Sequence, residues 1–392
     1  MWHFVSPNIV FGEGALEALD ELPRRGSTRH RALIVTDPTI VQLGLMDRVA
    51  AHLRKAGIDV HSFDEVEPEP SLDTVRRGAE VAQEVAPDWI VGLGGGSPMD
   101  AAKAVWVLYE RPDLEPADIN PFIDLGLRQK ARLVTIPTTS GTGAEVTWGI
   151  VLTDAAEKRK MGLGNRENVA DLAIVDPEMA AGMPPRLTAN TGLDALTHAV
   201  EGYVCTWHTD LTDGLCLQAA RDIFRYLPRA VEDGRDMEAR TAMHHAATSA
   251  GLGFGNAMAS LAHAMGHTLG ASFHVPHGCA VGLCLPYTLE FAARETPERC
   301  AQLAQRLGLS SADGDPAARA LADGIRRLME EIDNPLSLAE LGVERQRYEA
   351  ELERLIDDAF SDTQVITAPR PPSYDHLRQL FLHIYSGDPV DF

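Results

Sequence analysis

Between Arg31 and Val175, short β-branched runs alternate with stretches of helical period, and nothing else in the 392-residue chain narrows its fold as far. Strands joined through helices must run parallel, because a parallel pair needs a long crossover where an antiparallel pair needs only a hairpin. The pattern predicts strands at Arg31–Thr36, Val60–Phe63, Trp89–Leu93, Leu133–Ile136 and Leu172–Val175. It predicts helices from Ile40 to Ala56, closed by Gly57, and from Ser71 to Val85, with Ser71 as the cap. The runs are apolar enough to be covered on both faces, as in a doubly wound, mostly parallel sheet. After Pro184-Pro185 β-runs become scarce, and Leu193–Val204 and Ala257–Leu269 carry helical spacing. An α/β domain over residues 1–183 and an all-α domain over 184–392 follow, since neither proline can sit in a helix interior or donate to a ladder.

The third predicted strand runs into Gly94-Gly-Gly-Ser-Pro-Met-Asp100, which opens a helix. Such a turn aims backbone N–H groups and the positive helix end at one point, where a pyrophosphate can sit, and a Cβ would block its approach. Ser97 occupies the third glycine position, so the stretch departs from the Rossmann fingerprint, and by itself it is also what a tight strand-to-helix turn requires. Pro137-Thr-Thr-Ser-Gly-Thr-Gly143 follows another strand and adds hydroxyls and amides. Asp37 ends the first strand, where a carboxylate can accept from an adenosine ribose and repel a 2′-phosphate, or simply cap the helix that begins at Pro38.

In the second half, Asp194 and His198 stand four residues apart in a helical stretch and so share a face. His263, His267, His274 and His277 fall within fifteen residues of apolar sequence. Imidazole suits iron or zinc, and three neutral histidines with one carboxylate leave a divalent ion positively charged. Spacing leaves open which of these histidines bind, while His208, His244 and His245 have no comparable company and read as surface or structural.

Taken together, Gly94–Lys103, Pro137–Gly143, Thr191–His198, His263–His267 and Pro276-His-Gly278 resemble the iron-containing (group III) alcohol dehydrogenases over nearly the whole chain, most closely the lactaldehyde reductase branch. The resemblance implies a homodimer that moves a hydride between a small primary alcohol, or its aldehyde, and NAD, using a divalent metal, Fe2+ before Zn2+. It implies Asp194, His198, His263 and His277 as metal ligands, with His267 beside the metal near substrate and nicotinamide; one helical turn from His263, His267 is placed to relay the alcohol proton to solvent as the catalytic residue. It assigns Asp37 to the ribose, Gly95, Gly96 and Ser97 to the pyrophosphate, and Thr138, Thr139, Thr142 and Lys160 to the cofactor. Trp148 and Phe254 are expected as pocket walls. Near the C-terminus, where many members carry Cys-Thr-x-Asn-Pro-Arg, this chain reads Gln364-Val-Ile-Thr-Ala-Pro-Arg370, so substrate identity is not inherited with the rest.

Two other functions fit parts of the pattern. A lyase resembling dehydroquinate synthase shares architecture, NAD and metal, but needs a basic pocket for an anionic substrate. Between Leu187 and Leu285 the arginines 221, 225, 229, 235 and 240 all lie well away in sequence from the histidine cluster. A non-enzymatic nucleotide-binding module would leave a four-ligand set without use. Composition excludes more: 35 basic against 57 acidic residues give −22, which repels a nucleic-acid backbone. No stretch reaches the ~18 apolar residues of a membrane span, and Met1–Asp20 holds no basic segment followed by an apolar run, so a soluble, unprocessed, cytoplasmic protein is expected. Five cysteines without a Cys-x-x-Cys pair read as free thiols of a reducing compartment.

Overall fold

The computed structural model describes residues 3–25, 30–154 and 159–392, and divides the chain into two compact units, Met1–Gly182 and Met183–Phe392. The first unit contains β1 (Asn8–Phe11), β2 (Arg31–Val35), α1 (Pro38–Gln42), α2 (Leu45–Lys55) and β3 (Asp59–Phe63). It continues with α3 (Leu72–Val85), β4 (Trp89–Gly94), α4 (Gly96–Glu110), β5 (Arg132–Pro137), β6 (Gly149–Asp154), β7 (Arg159–Gly164) and β8 (Leu172–Val175). Six strands form one sheet in the order β1-β8-β5-β4-β2-β3, every pair parallel.

Alternation along the strands feeds both faces. Leu33, Val35, Ile90 and Leu133 pack with α3 and α4, while Ala32, Ile34, Val91, Leu93 and Val134 pack with α2 and the 3-10 helix at Ala15–Arg25. With both faces covered, the central strands are buried almost throughout, which explains their unbroken apolar runs.

In this unit three features differ from the pattern read in the sequence. The single helix expected from Ile40 to Ala56 is two, because Gly44 adopts φ 72°, a left-handed conformation that ends one helix and caps the next. Strand β1 is too short to show a period, and it gains its place by pairing with β8, some 160 residues away. Strands β6 and β7 form a separate antiparallel hairpin.

The second unit is helical: α5 (Pro185–Val204), α6 (Asp210–Glu232), α7 (Met237–Ala257), α8 (Leu261–Phe273), α9 (His277–Ala292), α10 (Pro297–Arg306), α11 (Asp315–Glu331), α12 (Arg345–Ser361) and α13 (Tyr374–Ser386). Pro185 takes the first helical position of α5, where its missing N–H costs nothing. The run expected from Ala257 to Leu269 is broken, since Met258 has φ 114° and α8 begins only at Leu261. Helices α5, α8 and α9 carry few charged residues on any face and are buried nearly all round, so they form the centre of this unit.

His244 lies fully inside this unit on α7. Burial, helped by repulsion from His245, pushes it from 6.5 down to about 3. The folded form therefore stays neutral where the unfolded chain takes up a proton, so the stability it contributes is complete above pH 6.5 and is lost between 6.5 and about 3. In His244→Gln the fall in unfolding free energy over this window should be shallower, by up to about 1.4 kcal/mol per pH unit. Denaturant titrations at several pH values check this, and parallel slopes for the two proteins would refute it.

Candidate metal centre and cofactor cradle

In the sheet order, the chain runs outward from β2 to β3 and then returns past β2 to β4, so the winding reverses between β2 and β4. Open α/β sheets bind ligands beyond the carboxyl ends of the strands at such a point. Asp37 follows β2, Gly94 ends β4 and Thr138 follows β5, which brings three sequence-predicted segments to one edge. Gly94 has φ 147°, and a Cβ there would lie 2.6 Å from the Pro98 ring. The chain can therefore turn straight from strand into α4 only with glycine at this position.

The two loops face each other. Thr138 N donates to Gly94 O at 2.9 Å, and Cβ atoms added to Gly95 and Gly96 would come within 3.4 Å of Thr139 Oγ1 and 3.0 Å of Thr142 Cγ2. The free amides of the first turn of α4 and the threonine hydroxyls thus line one narrow cradle, the chemistry a pyrophosphate needs. Ser97 Oγ accepts from Glu69 N at 3.2 Å, and Lys160 Nζ lies 2.6 Å from Glu69 Oε1, so the lysine is tethered beside the cradle. Asp37 caps α1, with Oδ1 accepting from Thr39 N at 2.8 Å and Ile40 N at 3.1 Å. Trp148 packs over Gly164 of the β6–β7 hairpin.

In the helical unit Asp194, His198 and Glu201 lie on successive turns of α5, His263 and His267 on α8, and His277 at the start of α9. Asp194 Oδ1 is 3.4 Å from His277 Nε2 and 3.8 Å from both His263 Nε2 and His198 Nδ1. The donor atoms of Asp194, His263 and His277 all fall within 4.8 Å of one another. A tetrahedral ion bound at about 2.1 Å separates its ligands by about 3.4 Å, so the spacing suits a cation. Asp194 Oδ1 and His263 Nε2 are buried with no hydrogen-bond partner, a costly arrangement unless something positive binds there. The residues present fit a divalent metal.

The electrostatics agree. Burial opposes ionisation of Asp194, yet the charges of His198 and His277 hold it well below the usual carboxylate range. Burial also opposes a charge on His263, but Glu201 and Asp194 raise it to about 9.

His198 stands outside the three-residue set as placed. Its ring stacks between Phe254, at 3.8 Å and 10°, and His263, at 4.5 Å and 24°. Phe254 thus packs face to face against this cluster. His267 is also outside the set: its Nδ1 is 2.8 Å from Asp362 Oδ2, and its ring lies over that of His277 at 5.3 Å. His274 is exposed at the left-handed end of α8 and takes no part. His208 pairs with Asp213 at 3.3 Å, and all five cysteines are free and buried.

Sequence reasoning missed Glu201 and Asp362. Glu201 Oε2 lies 2.6 Å from His263 Nδ1, while its two oxygens accept from Ser260 N and Ala262 N. One carboxylate thus aims a histidine and catches the amides freed where the helix breaks at Met258. Glu201 was findable, being seven residues from Asp194 on the same helix face. Asp362 reaches His267 from 95 residues away and left no local signal.

The comparisons with known proteins cover both units. Residues 6–177 match the family model described as iron-containing alcohol dehydrogenase, and residues 188–385 match that of the C-terminal part of the Fe-containing alcohol dehydrogenase family. The chain is 39% identical over 394 residues to an NADPH-dependent butanol dehydrogenase of Clostridium saccharobutylicum, covering 100% of both. It is 38% identical to the bifunctional aldehyde-alcohol dehydrogenase AdhE of Escherichia coli, with 99% of this chain matching 46% of that longer protein. In three dimensions it is similar to the sulfoacetaldehyde reductase of Bifidobacterium kashiwanohense crystallised with NAD+, with TM-score 0.87 and 29% identity over 99% of this chain and 100% of that one.

The approach of α9 to α5 yields a test. A Cβ on Gly278 would lie 2.0 Å from Asn190 O and 3.1 Å from Asp194 Cβ, so only glycine lets His277 come this near Asp194. Gly278→Ala should push His277 outward and weaken metal binding by roughly 10–100-fold, the range seen when ligand geometry is disturbed. Metal titration of the stripped variant measures it; undiminished affinity would show that this contact does not set the ligand spacing.

Proposed function

We propose, from the premise that this chain belongs to the iron-containing alcohol dehydrogenase family, that it transfers a hydride between NAD and a small primary alcohol or its aldehyde. The chain is a metal-dependent oxidoreductase of alcohols and aldehydes. The observation that carries the reading is the buried Asp194 carboxylate set beside the buried His263 and half-buried His277 imidazoles, with Asp194 Oδ1 and His263 Nε2 left without hydrogen-bond partners. Asp194, His198, His263 and His277 would hold the divalent ion, Fe2+ before Zn2+, which supplies Lewis acidity toward the substrate oxygen, while NAD supplies or accepts the hydride.

The chain's own residues do the rest. Glu201 fixes the His263 ring so that Nε2 points toward Asp194 Oδ1. Phe254 holds His198 by stacking and gives the metal cluster an apolar wall; Trp148, packed on Gly164 in its own unit, is proposed as a pocket wall from the resemblance alone. His267, turned by Asp362, takes the hydroxyl proton during alcohol oxidation and returns it during aldehyde reduction. The amides of Gly95, Gly96 and Ser97, the hydroxyls of Thr138, Thr139 and Thr142, and the ammonium of Lys160 receive the phosphates.

The butanol relative is NADPH-dependent by name, so cofactor choice differs among similar chains, and here the Asp37 carboxylate argues for NAD. The relatives described above act, by name, on butanol and on sulfoacetaldehyde, so the substrate proposed is the class, not the lactaldehyde of the branch expected from the motifs. The lyase alternative loses support, since the matched families and these relatives are dehydrogenases or reductases. A cytoplasmic homodimer completes the proposal; among the described residues no helix is long and apolar enough to cross a membrane.

Two measurements test this reading. The enzyme should turn over small primary alcohols with NAD far better than with NADP, and Asp37→Gly should narrow that preference at a cost of only a few tenths of a kcal/mol to the α1 cap. Comparable kcat/KM with both cofactors in the unmodified enzyme would remove Asp37 from the ribose site. Separately, His277→Ala should lose the metal and turnover, whereas His267→Ala should keep near-stoichiometric metal and lose activity by ~10²–10⁴-fold. Metal-free His267→Ala protein would make His267 a ligand and reverse the two roles.

A further inference from the structure

Two histidines one turn apart on α8 are each held at Nδ1 by a carboxylate from elsewhere in the unit: His263 by Glu201 of α5, and His267 by Asp362 at the end of α12. The first pair serves the metal cluster. The second has no such use, because His267 lies outside the group of mutually close donor atoms. We infer that Asp362 is the positioning residue that fixes the tautomer of His267, placing the proton on Nδ1 and leaving Nε2 bare to accept the substrate hydroxyl proton. The inference rests on His267 being the proton carrier proposed above.

The geometry divides the carboxylate in two. Oδ1 of Asp362 accepts from Gln364 N at 2.8 Å and caps the short 3-10 turn Thr363–Thr367, while Oδ2 faces His267 Nδ1 at 2.8 Å. That turn is seated independently: Thr206 N donates to Thr367 O at 3.0 Å, and the Thr367 hydroxyl donates to Ala259 O. Asp362 is thus held from its own backbone side, in a loop pinned to the segment just before α8, and cannot follow the ring if it turns. An ionised carboxylate only accepts, so the ring nitrogen facing it must be the one that carries hydrogen. Burial opposes ionisation of Asp362, but His267 keeps it below the ordinary carboxylate range.

The proton count then closes. Alcohol oxidation releases one hydroxyl proton besides the hydride, and that proton forms a bond to Nε2 as the O–H bond breaks. The resulting imidazolium is stabilised by Asp362 across the Nδ1–H bond until the proton passes to water. Neither Oδ2 nor Nδ1 leaves its partner in this cycle.

Asp362→Asn separates the positioning role from the structural one. The amide oxygen can still cap Gln364 N, but the NH2 now faces Nδ1 and must donate, which moves the ring proton to Nε2. We expect kcat for alcohol oxidation to fall on the order of 10²-fold, with KM, metal content and Tm close to unchanged. Asp362→Glu should recover part of the loss. Nitrogen-15 histidine spectra of the zinc-loaded protein should show His267 protonated at Nδ1 in the unmodified chain and at Nε2 in Asp362→Asn. Unchanged kcat, or a proton already on Nε2 in the unmodified protein, would overturn the inference, and the second observation needs no variant to fold. His267→Ala measured alongside separates the two levels: retained activity there removes the proton-carrier reading itself, whereas lost activity there with full activity in Asp362→Asn removes Asp362 alone.

Discussion

A carboxylate with almost no access to water organises the helical unit. Asp194 is 2% exposed, and an isolated charge at that depth is unstable by several kcal/mol unless opposite charge surrounds it. His198, His263 and His277 provide that surrounding from α5, α8 and α9, so three helices must meet at one point for the charge to be tolerated. The hydrophobic core alone would not require this meeting. Its alanines, leucines and valines are interchangeable in kind, whereas the carboxylate admits one arrangement of its neighbours.

The same constraint explains local irregularities that would otherwise be defects. The chain leaves helical geometry at Met258, with φ 114°, and the amides exposed by that break at Ser260 and Ala262 are caught by Glu201. A continuous helix through this region would satisfy those amides internally and leave Glu201 with fewer partners for its buried charge. Gly278 acts in the opposite sense, removing bulk so that α9 can start against the backbone of α5. One site gains a polar clamp and the other loses a side chain, and both bring imidazoles to within 4 Å of Asp194.

The α/β unit solves a different problem with different means. An anion needs donors, and there they come from backbone amides at the start of α4 and from threonines after β5, brought together by the parallel register of β4 with β5. Among the described residues Lys160 stands by, and Glu69 already engages it. In the proposed cofactor site fixed dipoles would thus do most of the binding, which suits a chain of net charge −22. The metal site relies on ionised side chains and the cradle on neutral backbone, and neither chemistry could replace the other.

Much of this was legible in the sequence because its signals are local. Parallel strands follow from alternation, the phosphate turn from Gly94-Gly95-Gly96 after a strand, and the shared face of Asp194 and His198 from a four-residue spacing. The resemblance carried by the ordered motifs supplied the family, which the comparisons then established. Other features depend on partners far apart in the chain, and no window of sequence contains them. Strand β1 exists only through β8, and the split of one expected helix into α1 and α2 turns on a single residue that a helix tolerates at modest cost. Asp37 was assigned two roles by its position, and the fold displays the capping one. The sequence by itself determined which residue types are present and which side of each helix or strand they occupy, because periodicity is a property of neighbours. Only the tertiary structure decided that Glu201 aims His263 and that Asp362 crosses 95 residues to face His267, because a hydrogen bond between distant segments is set by how helices pack.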